Sequence, residues 1–336
     1  MNMSSLIEIK NLYVNYNTEQ GKAKVLDGVE LKLQKGVISG IIGESGCGKS
    51  TLAKTILSIL PSAGKVEKGE VIFKGEDLLK MSRNELNKRI NGKEITFIPQ
   101  DPSDSLNPLF TIGVQMKDLV IPKLFNGKRK NMSKIKEMFI KQLEEVQLSS
   151  PEDILKRFPH ELSGGQKQRL FIAISLIIKP SLIIADEPTT ALDVTIEAQI
   201  LELLKRTIKN NMSSTLYITH NLAVASKICD MITVMYCGQI VESAPKKSFF
   251  TNPAHPYSRK LLACLPEIGK KIEDIPGKVP SLLNPPEGCR FQTRCERKTS
   301  QCTSSQKPPK KEISANHWVQ CYNPFLNNYS QEKNRS

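Results

Sequence analysis

Residues 43–50 read Gly43-Glu44-Ser45-Gly46-Cys47-Gly48-Lys49-Ser50, and this stretch indicates the fold class. It follows an apolar strand pattern over residues 37–42 and precedes a helical pattern predicted over residues 50–60. The spacing fits GxxxxGK[ST], in which glycines let the loop wrap so that successive N–H groups point inward. The start of the following helix adds its positive end. A glycine-rich turn with a chance lysine is the alternative, but the strand before and the helix after favour a phosphate-binding loop.

The residues of this loop have separate predicted roles. Lys49 is expected to place its charge on the β- and γ-phosphates of a nucleotide, and Ser50 to offer its hydroxyl to Mg²⁺. The predicted ligand contacts of the loop are Gly43, Ser45, Gly46, Cys47, Gly48, Lys49, Ser50 and Thr51.

Asp186 and Glu187 form a second candidate site, at the end of the apolar stretch Ser181-Leu182-Ile183-Ile184-Ala185-Asp186-Glu187. Two carboxylates at the end of a strand lie at the sheet edge where ligands of α/β proteins bind. Asp186 is predicted to bind Mg²⁺ directly or through water, and Glu187 to orient the attacking water or act as its base. Acidic residues also favour the first turn of a helix, so a plain helix start is the alternative. The phosphate-binding loop in the same chain favours the functional interpretation.

The pattern along the chain indicates an α/β protein. Strand and helix patterns alternate before and after a helical insert over residues 102–179, which predicts a mostly parallel sheet with a helical subdomain. Beyond Pro245 the regular patterning fades and Pro, Gly, Lys and Cys accumulate. We therefore predict one domain over residues 1–245 and a separate, irregular cysteine-containing appendage over residues 246–336.

Composition narrows the class of protein. The formal net charge is +14, which suits nucleic acid, an anionic membrane face or phosphate ligands without choosing among them. The most apolar stretch, Leu170 to Ala185, is interrupted by Lys179-Pro180 and is shorter than the ~20 residues of a transmembrane helix. No signal peptide is visible. The expectation is a cytosolic protein, unless a partner holds it at a membrane, with its eight cysteines reduced or bound to metal.

The stretch Leu162-Ser163-Gly164-Gly165-Gln166 carries the first family resemblance. Ser163 and the two glycines precede a helical pattern over residues 166–178, so free N–H groups and a hydroxyl can face an anion. This LSGGQ signature is similar to that of ATP-binding cassette (ABC) ATPases, and the resemblance covers about the first 245 residues. It implies a P-loop NTPase fold with an antiparallel β subdomain and a helical signature subdomain. It also implies that Ser163, Gly164, Gly165 and Gln166 face the γ-phosphate of ATP held by an opposite subunit.

The remaining family elements follow in order. Tyr16 resembles the aromatic residue that stacks on adenine, with Tyr13 as the alternative. Gln100 resembles the Q-loop glutamine, which senses Mg²⁺ or the attacking water. Asp193, in Ala191-Leu192-Asp193, resembles the D-loop, and His220, in Ile218-Thr219-His220-Asn221, resembles the switch histidine. A lone histidine is usually structural. His220, however, follows a strand that is predicted to lie beside the strand of Asp186, and this position favours a catalytic role for it together with Glu187 and Gln100.

Two later segments resemble the D-type ATPase subunits of dipeptide and oligopeptide importers: residues 100–108 (QDPSDSLNP) and residues 252–262 (NPAHPYSRKLL). Ile275-Pro276-Gly277 and Cys289-Arg290-Phe291 add to this resemblance. It implies hydrolysis of ATP, with Mg²⁺, to energise peptide import from the cytoplasmic face of the cell membrane. The implied partners are a second ATPase chain, two membrane permeases and, indirectly, a substrate-binding protein outside the cytoplasm. The second ATPase is expected to be a different chain, although a homodimer stays open.

Two alternatives stay open: the motor of a nickel or metallophore importer, and a soluble ABC ATPase without permease partners. Nucleic-acid binding is not expected, because few aromatic residues stand among the basic ones.

Cys289, Cys295, Cys302 and Cys321 form the last candidate site, with intervals of five, six and eighteen residues. These intervals are wider than those of usual zinc pairs, and iron–sulfur clusters accept irregular spacing. The resemblance implies a [4Fe–4S] cluster, while zinc and reduced thiols remain alternatives. Two roles are open for the basic side chains around the cysteines, contact with anionic lipid or simple solvation, and solvation is the preferred prediction: Arg290, Arg294, Arg297, Lys298, Lys307, Lys310 and Lys311.

Overall fold

A computed structural model describes residues 5–101, 105–125, 132–189, 193–265 and 274–326. The strands are β1 (Ser5–Thr18), β2 (Gly21–Gln34), β3 (Ile38–Ile42), β4 (Gly64–Phe73), β5 (Glu76–Asp77), β6 (Ile95–Ile98), β7 (Leu182–Asp186), β8 (Ser214–Thr219), β9 (Met231–Tyr236), β10 (Gln239–Pro245), β11 (Lys310–Ser314) and β12 (His317–Gln320). The helices are α1 (Lys49–Ile56), α2 (Arg83–Glu85), α3 (Ile112–Phe125), α4 (Met132–Glu145), α5 (Pro151–Ile154), α6 (Gly164–Ile177), α7 (Val194–Asn210), α8 (Leu222–Ile228), α9 (Lys246–Thr251) and α10 (Pro256–Ala263).

The chain divides into two compact units that differ from the predicted domains. The first unit contains the described parts of Gln34–Val37 and Lys80–Tyr217. The second contains the described parts of Ser4–Leu33, Ile38–Leu79 and Ile218–Ser336.

The first unit combines parallel strands with the predicted helical insert. β6 and β7 pair in parallel, with Ile95 opposite Leu182 and Ile98 opposite Ala185, and β8 lies next to β7. All five residues of β7 are buried, as expected of a central parallel strand. Helix α6 is buried on nearly all sides, which explains its unbroken apolar sequence.

The second unit contains an antiparallel sheet in the order β2-β1-β4-β5. The pairing of β1 with β4 runs from Ile7 opposite Phe73 to Tyr16 opposite Gly64. In the same unit β3 pairs in parallel with β9, so the strand that leads into the phosphate-binding loop is held by a strand from the later half of the chain.

The region after Pro245 is not irregular throughout, because its described part contains α9, α10, β11 and β12. Antiparallel pairing of β10 with β9, of β12 with β10 and of β11 with β12 carries the sheet of the second unit into this region. The fully buried carboxylate of Glu242 on β10 accepts hydrogen bonds from the backbone N–H groups of Ala254 and His255, both at 2.8 Å. Its contact with Nε2 of His317 on β12, at 2.9 Å, ties the strands and the start of α10 together.

Helix α1 is shorter than predicted, because it ends at Ile56 instead of residue 60. Ser58 adopts a left-handed φ of 54°. Its N–H donates to the carbonyl of Thr55, and the N–H of Ile59 donates to that of Lys54. These two bonds form a Schellman motif, which ends a helix without needing the proline that follows.

Candidate functional site

The phosphate-binding loop of the second unit connects β3 to α1. Gly46 and Gly48 have φ values of 77° and 108°, which only glycine adopts without strain. At Gly48, a Cβ would also lie 2.8 Å from the carbonyl oxygen of Val25. The buried Nζ of Lys49 donates to the carbonyls of Gly43 and Glu44 at 2.8 and 3.0 Å, so the loop wraps around the ammonium group.

The other residues of the loop divide by exposure. Ser45 is exposed, while Ser50 and Thr51 in the first turn of α1 are half-buried. Cys47 is buried, and this burial raises the pKa of its thiol to about 11, so that the side chain is neutral at pH 7. The side chain of Cys47 therefore packs into the protein, and a contact with a ligand would come from its backbone.

The two candidates for the adenine contact, Tyr16 and Tyr13, belong to the second unit. Tyr16 on β1 lies over Gly64, where an added Cβ would approach the tyrosine ring to 3.2 Å. Tyr13, the alternative, already has the ammonium groups of Lys68 and Lys307 over its ring, at 4.2 and 4.9 Å from the ring centroid. These cations occupy the ring of Tyr13, which favours Tyr16 as the adenine contact.

His220 is exposed and directly follows β8. The N–H of Asn221 donates to the hydroxyl of Thr219 at 2.9 Å, and the Asn221 side chain caps α8 by accepting from Ala223 and Val224. Hydrogen bonds on both sides thus fix the backbone that carries the imidazole.

The first unit holds the acidic pair and Gln100. Asp186 is buried at the end of β7, and Glu187 has a left-handed φ of 47°, which is uncommon for a residue with a side chain. Because β6 and β7 are parallel, Asp186 at the end of β7 and the exposed Gln100, two residues after β6, lie at the same edge of the sheet. An amide and two carboxylates at one sheet edge are suitable ligands for Mg²⁺ and for water.

The signature stretch, also in the first unit, forms the predicted start of a helix. Ser163 is the N-cap of α6, and a capping box joins it to Gln166 through bonds of 3.0 and 3.3 Å. A Cβ on Gly165 would lie 3.1 Å from Cγ2 of Ile196 on α7, whereas Gly164 has open space around it. The glycines therefore combine close helix packing with an accessible backbone.

Asp193 has a clear local role as the N-cap of α7. Its carboxylate accepts from the N–H groups of Thr195 and Ile196 at 3.1 and 3.0 Å. Ala191 and Leu192 of the predicted D-loop lie outside the described residues, as do Pro102, Ser103 and Asp104 of the predicted importer segment.

All four appendage cysteines belong to the second unit. Cys289, Cys302 and Cys321 are buried, and Cys295 is partly buried. Burial raises the thiol pKa of Cys289 to about 12 and of Cys321 to about 11, and it also raises that of Cys295. Among the described residues, no three His, Cys, Asp or Glu side chains are arranged to hold a metal ion.

The sulfur of Cys302 accepts a hydrogen bond from the backbone N–H of Thr299 at 3.5 Å. The backbone N–H groups of Phe291, Arg297 and Asn323 act against burial and favour a lower thiol pKa at Cys289, Cys295 and Cys321 respectively. In these three cases the N–H group lies two residues after the cysteine. Backbone N–H groups aimed at sulfur favour the thiolate over the thiol.

The prediction that the neighbouring basic residues are solvated is wrong for Arg290 and Arg294, which are both buried. Arg290 forms an ion pair with Asp27 at 2.8 Å and donates to the carbonyl of Cys237. Arg294 forms an ion pair with Glu44 of the phosphate-binding loop at 2.8 Å. Nothing in the local sequence indicates these contacts, because each joins residues more than 50 positions apart in the chain.

Comparison with known proteins agrees with the arrangement of these motifs. Residues 26–190 match the ABC transporter family, and residues 241–302 match the oligopeptide/dipeptide transporter C-terminal region. The oligopeptide transport ATP-binding protein OppD of Bacillus subtilis is 40% identical over 95% of this chain and 89% of its own length. The chain belongs to the ABC transporter family.

Other relatives of this ABC protein lead to the same conclusion. The dipeptide transport ATP-binding protein DppD of Bacillus subtilis is 38% identical over 95% of both chains, and OppD of Escherichia coli is 37% identical over 95% of this chain and 94% of its own. A solved dimeric ATP-binding cassette with bound ADP and phosphate has a TM-score of 0.63 and 27% identity, over 71% of this chain and 98% of that one.

The predicted fold class is thereby confirmed: the chain has the ABC ATPase cassette fold, with α/β architecture. As a member of this family it is an ATPase whose hydrolysis of ATP is coupled to transport. Among the helices that the structure describes, none is both long and apolar enough to cross a membrane.

Proposed function

We propose that this ABC ATPase energises the import of dipeptides or oligopeptides across the cytoplasmic membrane. The observation that carries this proposal is the presence of two matched regions on one chain. The ABC transporter region is typical of the ATP motor, and the C-terminal region matches oligopeptide and dipeptide transporters. Relatives that cover nearly all of the chain are named as peptide transport ATP-binding proteins.

The site residues divide between two ATP molecules in this proposal. Tyr16 stacks on the adenine of the ATP bound by this chain, the residue 43–51 loop holds its phosphates, and Lys49 contacts the β- and γ-phosphates. Glu187 accepts a proton from the attacking water, while Gln100 and His220 position the water and the γ-phosphate. Ser163, Gly164, Gly165 and Gln166 face the γ-phosphate of the ATP on the partner subunit, and Asp193 lies at the subunit interface. This division explains why hydrolysis needs a pair of subunits.

Mg²⁺ is the metal that this site would require. Ser50, Gln100 and Asp186 offer the hydroxyl, amide and carboxylate oxygens that this ion prefers, and Asp186 is buried. The ion neutralises charge on the β- and γ-phosphates when it is bound.

Two membrane permeases are the proposed docking partners, with a substrate-binding protein outside the cytoplasm that delivers the peptide to them. In the first unit, Leu109 and Phe110 follow the segment that begins at Gln100, and their side chains are 78% and 49% exposed. Val114 and Leu119 on α3 add further exposed apolar surface. Exposed apolar residues on one unit support a protein-binding surface.

Co-purification tests the membrane assignment. A tagged chain extracted with mild detergent should carry with it two multi-span membrane proteins and a second ATPase. The variant Leu109→Ser with Phe110→Ser should lose the membrane proteins but retain ATP binding. Recovery of the chain without any membrane protein, from cells in which the permeases are produced, would contradict the proposal.

We also propose that Cys289, Cys295, Cys302 and Cys321 bind a [4Fe–4S] cluster. The Thr299 N–H···S bond to Cys302 and the pKa-lowering effect of backbone N–H groups on the other three cysteines support thiolate ligands, because N–H groups stabilise the charged sulfurs of iron–sulfur sites. Burial alone would keep these thiols protonated at pH 7, so a bound cationic group is needed to make them thiolates.

Zinc remains the alternative occupant of the four cysteines. A single zinc ion needs its ligands around one point, whereas each thiolate of a four-iron cluster binds a different iron, so the sulfurs stand farther apart.

Metal analysis of the anaerobically purified protein distinguishes these alternatives. The wild-type protein should be brown, absorb at about 400 nm, and contain about four irons and four sulfides per chain. Cys295→Ser should lose the colour, whereas Cys264→Ser, at a cysteine outside the four, should retain it. A colourless anaerobic preparation that contains zinc would overturn the cluster proposal.

A further inference from the structure

The phosphate-binding loop is held by residues from the C-terminal region of the second unit. The backbone N–H of Glu44 donates to the buried hydroxyl of Tyr257 at 3.1 Å. Its carboxylate accepts from both terminal nitrogens of Arg294, at 2.8 and 3.1 Å. This fork-to-fork geometry fixes both the position and the orientation of the carboxylate.

Arg294 is itself held rigidly, because all five of its N–H donors have acceptors. Besides Glu44, the guanidinium donates to the carbonyls of Ile275 and Pro276, both at 3.0 Å, and to the hydroxyl of Tyr236 at 3.4 Å. A Cβ on Gly277 would lie 3.3 Å from Cγ of Arg294. The Ile275-Pro276-Gly277 segment has no other role in the proposed ATP site. It therefore serves to hold Arg294, through two carbonyl acceptors and the close approach at Gly277.

A second set of contacts braces the same loop. The N–H of Gly238 donates to the carbonyl of Cys47 at 2.9 Å. The rings of Tyr236, Tyr257 and Phe291 pack together with centroid distances of 4.6 to 5.3 Å. These aromatic contacts leave Arg294 and Tyr257 little freedom to move.

The Glu44–Arg294 ion pair also changes the net charge of the phosphate-binding loop. A carboxylate within a loop that binds the polyphosphate of ATP would repel the ligand unless a cation neutralised it. Only 3% of the Arg294 side chain is exposed, so water screens its charge poorly at Glu44.

We propose that Arg294 is a positioning residue of the ATP site. It acts through Glu44: it holds the phosphate-binding loop in its receiving conformation and cancels the negative charge of the loop. The C-terminal region is then part of the nucleotide site and not only a feature of the importer subtype. This inference rests on the proposed binding of ATP at residues 43–51, and it is independent of the cysteine cluster and of peptide import.

MgATP affinities of single and double variants test this role. Arg294→Gln leaves the Glu44 carboxylate unpaired near the phosphates, and it should weaken MgATP binding about ten-fold. Glu44→Gln alone should weaken it by about three-fold or less. The double variant Glu44→Gln with Arg294→Gln removes the repulsion, and it should recover most of the affinity that Arg294→Gln loses.

The recovery separates positioning from a merely structural role. If Arg294 only stabilised the packing of the C-terminal region within the second unit, the double variant would bind MgATP no better than Arg294→Gln. That result would overturn the proposal, and so would wild-type affinity in Arg294→Gln. Arg297→Gln is the matched control, because Arg297 contacts Asn323 and Phe325 and should leave MgATP affinity unchanged.

Two further measurements keep the test decisive. If Arg294→Gln does not fold, by circular dichroism and thermal unfolding, Arg294→Lys takes its place; it keeps the charge but loses the fork and should bind MgATP more weakly than wild type. Wild-type protein that binds no MgATP would refute the proposed ATP site, whereas wild-type binding with unaffected variants would refute only the role of Arg294.

Discussion

Glu187 has the left-handed backbone of a strained residue, at the end of a fully buried strand. Strain of this kind costs about 1–3 kcal/mol and is retained mainly where function requires it. We predict that Glu187→Gln lowers the rate of ATP hydrolysis about 10²- to 10⁴-fold, because the amide cannot accept a proton from water. MgATP affinity should stay at the wild-type value or rise, since the amide removes a negative charge near the phosphates.

Phosphate release and MgATP binding of the paired ATPase check this prediction. Glu202→Gln is the control, because Glu202 is exposed on α7 in the same unit and should leave both quantities unchanged. A Glu187→Gln protein that hydrolyses ATP at the wild-type rate would exclude Glu187 as the base.

Asp27 is a second residue whose contribution can be measured, in this case through the pH dependence of the free energy of unfolding. Burial works against its charge, but a hydrogen bond from Lys307 and the charge of Arg290 outweigh burial and lower its pKa below the ordinary value of 3.8. A lowered carboxyl pKa stabilises the folded state above the unfolded-state pKa, and this contribution is lost as the pH falls through the folded-state pKa. We predict that Asp27→Asn lowers the free energy of unfolding by about 3 kcal/mol at pH 7.

Urea unfolding between about pH 7 and pH 3 measures this contribution. The difference between wild type and Asp27→Asn should be constant near neutral pH and shrink below the ordinary carboxyl pKa. Glu30→Gln is the control, because the pair of Glu30 with Lys310 is exposed and should contribute about 0–1 kcal/mol. A difference between wild type and Asp27→Asn that grows toward low pH would contradict the assignment.

At the scale of elements, the capping box of α6 has a matched counterpart in the same unit. Ser163 caps α6 through Gln166, and Ser82 caps α2 through Glu85 with the same bond pattern. Each serine-to-alanine variant should cost about 1 kcal/mol of stability. Only Ser163→Ala should also lower ATP hydrolysis, since its hydroxyl is proposed to face the ATP of the partner subunit.

Thermal unfolding and ATPase assays of both variants separate the two effects. An equal loss of hydrolysis in Ser82→Ala and Ser163→Ala would show that stability, and not the signature, explains the change.

Elements with a strong local pattern were the ones that sequence could predict. Helix α4 lies in the helical insert predicted over residues 102–179, and its residues Ile135, Phe139 and Leu143 recur every four positions on its buried face. The start of α6 was predicted at Ser163 because an N-cap serine is a local signal. The end of α1 was missed, because nothing in the sequence marks Ser58 as the residue whose backbone becomes left-handed and ends the helix.

At the scale of the whole molecule, the motifs in their order predicted the cassette fold, which the comparisons confirm, whereas the ATP-site residues stay a prediction. What sequence did not reveal is the use of the C-terminal region, whose strand β12 pairs with β10 and whose arginines reach Asp27 and Glu44. Basic residues in a loop-rich segment are usually solvated, so only the folded chain identifies Arg290 and Arg294 as buried. Contacts between residues 250 positions apart leave no local pattern.

The central claim, that this ATPase powers peptide import, is tested most directly by uptake into the cells that produce it. The wild-type gene is replaced by one that encodes Glu187→Gln, equal protein levels are verified by immunoblot, and uptake of a labelled oligopeptide and of radioactive nickel is measured. We predict that oligopeptide uptake falls to the level of a strain without the gene, while nickel uptake is unchanged. Unchanged oligopeptide uptake, or loss of nickel uptake alone, would contradict the account.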